Sequence, residues 1–447
     1  MKPEQAWEPY EPGARRPWDL RLAAHLLRRA GFGADWPAIE QAVADGPAKT
    51  VDRLLRPPEN LAEFNATFDR YDAAGATGAS TESLRAWWLR RMMETPYPLV
   101  EKMALFWHGH FALGNHGGIS AALMARSVQS LRQGALGSYR ALVAGVMSDP
   151  ALYLSLRSER SRRSQPAPNV ARQLLAVFGV GPGNFDENDL SAAARALTGR
   201  SVLRNELRFF DHDHDDGAKT LLGQRGNWNA DDAVRIVAEH PATAEHVVRK
   251  LYGWFISECG EPEPELLEPL ANHLREHDDV GRLVEVMLRS NRFFSAAAYR
   301  RRIKGPVELA VGLARAMEQT VPTLRLGQQL AELGQDLYRP PTSAGFPGGR
   351  DWINGTTLTG RWNLAAEMLA ASGAYEGHLN PAALAEKHGR STPEEAAKLL
   401  ADVLLDGDLP PPIAQDWRQL SSLPAQWPAR LRELAITLTQ EPEYQLA

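Results

Sequence analysis

Apolar and polar positions recur with a period near 3.6 over most of this chain, which predicts amphipathic helices. Between 18 and 30 (WDLRLAAHLLRRA), Leu20, Ala23, Ala24, Leu27 and Ala30 share one stripe, and Gly31 and Gly33 end it. Between 35 and 45, Asp35 stands as a cap, Pro37 falls in the first turn and Gly46 follows the end. The same spacing predicts helices over 47–56, 81–94, 97–112, 119–133, 138–147, 169–178, 188–197, 230–239, 241–257, 264–277, 280–290, 306–318 and 359–372. Period-2 runs of useful length are nearly absent. The expected fold is all-α, an irregular multi-helix bundle or array with long ordered loops and little or no β-sheet.

Proline and glycine punctuate this pattern. Residues 157–168 (RSERSRRSQPAP) read as a solvated, proline-terminated linker. Residues 338–355 (YRPPTSAGFPGGRDWING) are too rich in Pro and Gly for regular structure. They predict a long ordered loop, the kind that carries function or plugs a cleft. Residues 1–17 are expected to form an N-terminal extension, 18–372 a helical main body and 373–447 a small helical tail. No repeat of fixed period is present.

Composition narrows the classes. A chain of 447 residues with 44% hydrophobic and 23% charged residues can bury a core without staples. The net charge of −5 supplies no basic field for nucleic acid, which is not expected as a partner. Cys259 is the one cysteine, so neither an internal disulfide nor a multi-cysteine metal site is available. No apolar run reaches the length of a membrane span. Met1 to Arg16 carries Glu4, Glu8 and Glu11 and lacks the apolar core of a signal peptide. The expectation is a cytoplasmic chain, or a mature one whose leader has been removed.

Two segments concentrate the histidines. In 97–116 (YPLVEKMALFWHGHFALGNH) a regular helix has Val100, Met103, Ala104, Trp107 and Phe111 as its apolar stripe. Glu101 and His108 stack on one flank and His110 falls on the other, so His108 and His110 share a metal only if the helix frays at Gly109. In 209–223 (FFDHDHDDGAKTLLG) an extended backbone points Asp211, Asp213 and Asp215 one way and His212 and His214 the other. The glycine is one place late for a calcium loop and Leu222 stands where its glutamate belongs, so a transition metal suits the imidazoles better. Equally, the aspartates and Lys219 neutralise one another in a turn while the histidines donate to carbonyls. His240, before Pro241, reads as a helix cap or as a catalytic base. His25 and the tryptophans Trp87, Trp88, Trp107 and Trp254 suit a core. No phosphate loop, nucleophile elbow or HExxH is present.

Several ordered blocks together resemble a bacterial family known as domain of unknown function 1800. They are HLLRRAGFGA (25–34), PLVEKMALFWHGHFA (98–112), NVARQLLAVFGVG (169–181), ARALTG (194–199), HDDGAKTLLG (214–223), HPATAEHVVRKLYGWF (240–255), KGPVELAVGLARA (304–316) and RPPTSAGFPGGRDWI (339–353). The resemblance implies a helical protein, often exported and commonly encoded beside a sulfatase-like partner, with work on an extracellular polymer or at the cell envelope. Gln173 departs from the glutamate usual in its block, and a glutamine is neither a general base nor an anionic ligand. If that glutamate is catalytic in the family, this chain is altered or silent.

Two functions therefore stand open. In one, His108, His110, His212, His214 and Asp215 converge on a divalent ion (Zn, Mn, Fe or Ni) that activates water for hydrolysis. Lys219 then balances charge, Glu101 orients a ligand or acts as base, and His240 is a further catalytic candidate. In the other, the Pro/Gly-rich loop and nearby aromatics form a groove for an envelope polymer or a sulfatase-like partner, and the His/Asp cluster is structural.

Overall fold

The computed structural model describes residues 2–75, 80–114, 118–420 and 427–447, with the side chains of 71–75 and 416–420 set aside. Asn115 and His116, the end of the first histidine segment, lie outside the described residues. The architecture is mostly helical, with 23 α-helices among the described residues. Asp35 forms the cap the sequence places there, accepting from the Ala38 amide, and Asp19, which the sequence pattern did not single out, accepts from the Leu22 amide ahead of Leu20–Ala30. The two helices expected on either side of Gly46 run as Trp36–Leu55 with a break at Gly46, whose φ of 78° is left-handed. Helices that periodicity did not single out include Leu61–Gly75, Pro150–Ser155 and Thr323–Glu332. No helix among the described residues is long and apolar enough to cross a membrane.

Strand structure is confined, among the described residues, to isolated bridges and two short antiparallel hairpins. Arg200–Leu203 pairs with Glu206–Phe209, and Lys219–Leu221 pairs with Gln224–Gly226. Both turn through two residues of positive φ, Arg204–Asn205 and Leu222–Gly223, as two-residue hairpins require. Strands of three and four residues are too short to show an alternation. The stretch between the hairpins departs from the expected extended chain, because Asp211–Asp213 is a 3₁₀ turn. The Asp213 amide bonds the Phe210 carbonyl and the His214 amide bonds the Asp211 carbonyl. That turn removes the alternate facing of aspartates and histidines.

Pro98–Phe111 is the central helix. Eleven of its side chains are buried, among them Glu101, Lys102, His108 and His110, so it is enclosed on nearly every side rather than along one stripe. Such a helix must find partners for each charge it carries inward. Both ends of the chain close over the same body. The Trp7 indole donates to the Leu266 carbonyl, 2.7 Å away, and the Tyr10 amide to that of Arg289. At the other end Ile303 bridges Leu446, the Ala447 amide donates to the Arg302 carbonyl, and Arg29 Nη1 donates to the Ala447 carbonyl.

Candidate ligand-binding cleft

The central helix stays regular through Phe111 and stops only at Ala112, which is left-handed at φ 52°. His108 and His110 therefore face different neighbours. His108 Nε2 accepts from the Tyr338 amide at 3.0 Å, and its ring sits among Trp88, Tyr338 and Phe346. Burial pushes its pKa down to about 3, so the ring is neutral. His110 Nε2 lies 3.2 Å from the Tyr139 hydroxyl, beside Phe106 and Phe178. Gly109 does not fray the helix. Its carbonyl oxygen lies against the Pro/Gly-rich loop, where a Cβ on Gly345 would come within 2.1 Å of it, whereas a Cβ on Gly109 would meet only the Phe346 ring, at 3.7 Å.

The acid-and-imidazole turn is satisfied internally. Arg195 clamps Asp215 with two bonds of 2.7 and 3.0 Å, and that clamp leads the effects that hold the Asp215 carboxyl at about 2. Lys219 donates to the carbonyls of Asp215 and Gly217, and burial lowers its pKa. His214 Nδ1 donates to the Thr198 carbonyl at 3.0 Å. His212 is exposed beside Asp213. His240 caps Pro241–Phe255, with Nδ1 accepting from the Ala242 amide. Glu101 is fully enclosed, 2.9 Å from the Trp88 indole nitrogen and 2.6 Å from Nε of both Arg91 and Arg132. Burial alone would raise its pKa, but the two guanidiniums overcome it and hold the carboxyl below the usual range. None of the hydrogen bonds or ring contacts described joins His108 or His110 to His212, His214 or Asp215. Among the described residues no group of three or more His, Cys, Asp or Glu side chains is arranged to hold a metal ion.

The hollow that does form near these elements lies elsewhere. Between the central helix, the helix Pro241–Phe255 and the loop 338–354 a cleft of about 390 Å³ opens, bordered by Phe106, His110, Trp254 and Phe346. Its floor is ionic. Glu308 receives Arg302 Nη1 at 2.6 Å, the Gly305 amide at 2.8 Å and the Lys102 ammonium. Burial would raise the Glu308 pKa, but Arg302 and Lys102 hold it well below the carboxylate range. Arg302 stacks over the Trp254 ring, 4.0 Å from its centroid, and its Nε is 3.7 Å from Glu258. Trp254 Nε1, Glu258 Oε2 and Arg302 Nε are buried with no hydrogen bond among the described residues. Gln173 ties the loop down by donating to the Ser343 carbonyl at 2.6 Å.

Residue types alone pointed to histidine and aspartate, assigned Trp254 to the core, and passed over Glu258, Arg302 and Glu308. One signal was present: Lys102 and Glu308 each sit in an otherwise apolar helical run, VEKMALFW and PVELAVGLA, where a charge demands a partner.

Fold and cleft together define a mostly helical protein with an aromatic-walled cleft bordered by a Pro/Gly-rich loop. The chain belongs to the family described as "Protein of unknown function (DUF1800)", which matches residues 25–446. No curated protein and no solved structure matches it.

Proposed function

We propose that this chain is a binding protein whose cleft takes a short polar segment of an envelope polymer. The observation that carries this reading is the cleft itself, with aromatic walls and an ion-paired floor. Its volume falls in the ordinary range of ligand sites, about 300–1,000 Å³. A protein partner is less suited, since stable protein interfaces spread over roughly 800 Å² on each side rather than entering a pocket of this size. Metal-assisted hydrolysis draws no support from the His/Asp turn, whose polar groups are spent on Arg195, Thr198 and backbone carbonyls.

Affinity electrophoresis in gels carrying neutral or acidic envelope polysaccharides tests this. The wild-type protein is expected to be retarded by at least one of them. Phe346→Ala should weaken retention roughly tenfold, about 1.4 kcal/mol for a lost aromatic contact. His214→Ala should migrate as wild type. Equal loss in both variants, or no retardation beside capture of a protein partner, contradicts the proposal.

A further inference from the structure

His110 borders the cleft and is 7% exposed, and its bonding fixes which of its nitrogens faces a ligand as an acceptor. The Tyr139 hydroxyl lies 2.5 Å from the Phe178 carbonyl and 3.2 Å from His110 Nε2. A hydroxyl has one proton, and a carbonyl only accepts, so Tyr139 donates to Phe178. Toward the imidazole its oxygen can then only accept, which places the proton of a neutral ring on Nε2. Burial first, with His246 and Lys250 adding, keeps the His110 pKa well below its usual value, so the ring is neutral. Nδ1 is left as a lone pair, with no hydrogen bond among the described residues.

The backbone explains why Phe178 is open to this bond. Leu174–Phe178 is a π-turn that ends its helix, and the last carbonyls of a helix have no amide further along the ladder to bond. Two of them serve histidine partners, since His246 Nε2 donates to Val177 at 3.1 Å while Phe178 takes the Tyr139 proton. Carbonyl, hydroxyl and imidazole form a chain whose direction is set at the carbonyl.

We infer that His110 Nδ1 is a fixed hydrogen-bond acceptor in the cleft and that it selects a hydroxyl-bearing ligand, a polyol segment of the polymer, over an anion without a proton to give. This rests on the reading of the cleft as a ligand site. A hydroxyl both gives and takes hydrogen bonds, so it can donate to the lone pair on His110 Nδ1, which an anion without a proton cannot do. A sulfate has no proton to give and sets negative oxygen against that lone pair. Tyr139 is a positioning residue, since it acts through His110.

Crystals of the full chain soaked separately in ethylene glycol and in sulfate read this directly. A glycol hydroxyl is expected within hydrogen-bond reach of His110 Nδ1, with no sulfate there. Glycol held elsewhere in the cleft, or sulfate against Nδ1, overturns the inference and leaves the cleft reading standing. A cleft that takes neither overturns both. Nitrogen-15 imidazole spectra supply a readout that simple loss of packing would not move. Nδ1 of His110 should be the unprotonated nitrogen in the wild type, and Tyr139→Phe should redistribute the proton toward Nδ1 and abolish the glycol contact. A protonated Nδ1 in the wild type overturns the assignment.

Discussion

Replacing Glu101 by Gln removes the carboxylate that Arg91 and Arg132 share inside the body. The expected loss is about 3–5 kcal/mol, the range for breaking a buried pair and stranding its partner charges, and urea unfolding measures it. A catalytic Glu101 would instead lose activity with stability intact. His108 gives a pH prediction of defined sign. Its folded pKa of about 3 lies below the ordinary 6.5, so the unfolded chain binds the proton first as pH falls. Stability from this residue is present above 6.5 and lost toward pH 3, at about 1.4 kcal/mol per unit at most. The acid limb of stability against pH should be shallower in His108→Gln, and an unchanged slope would contradict the burial argument. Residue chemistry was half legible in the sequence. Donation from His214 to a carbonyl follows the expectation for a structural turn, but Arg195 rather than Lys219 neutralises Asp215. Which cation reaches which acid depends on chain segments 20 residues apart, and spacing does not encode that.

Among the elements, the central helix and the loop 338–354 are mutually dependent. Gly345 has φ 100° and passes over Gly109 at a distance that admits no Cβ. Gly345→Ala should lift the loop at a cost of roughly 1–3 kcal/mol in strain, visible as a lower Tm and faster hydrogen exchange at the Tyr338 amide. Gln173→Glu exchanges the donor to Ser343 for an acceptor and should lose about 1 kcal/mol, one hydrogen bond, with quicker proteolysis of the loop. Gln173 thus has a structural use, as a tie for the loop. Helices were legible wherever a stripe and a stop coincide, as at Leu20–Ala30. The hairpins were not, because three or four residues carry no measurable period, and the π-turn reads as ordinary helix in sequence.

Across the whole molecule, the boundaries drawn at 17 and 372 separate segments that the fold binds together. Lys304 donates to the Tyr444 carbonyl, Arg361 to the Gln445 side chain and Arg29 to the Ala447 carbonyl. Apolar spacing had no means of showing this, since the ties run from buried cations to backbone and side-chain oxygens far along the chain. The same long-range packing brings Trp254, Arg302 and the loop 338–354 to one cleft, and that convergence is the account's central claim. The exposed single cysteine, Cys259, adjoins Glu258 at its edge and offers a reporter. With an environment-sensitive maleimide on Cys259, titration with an envelope polysaccharide should shift the fluorescence of the wild type and of His214→Ala alike, and fail to shift that of Phe346→Ala. A response that survives Phe346→Ala and vanishes in His214→Ala would place the site at the acid-and-imidazole turn and contradict the account.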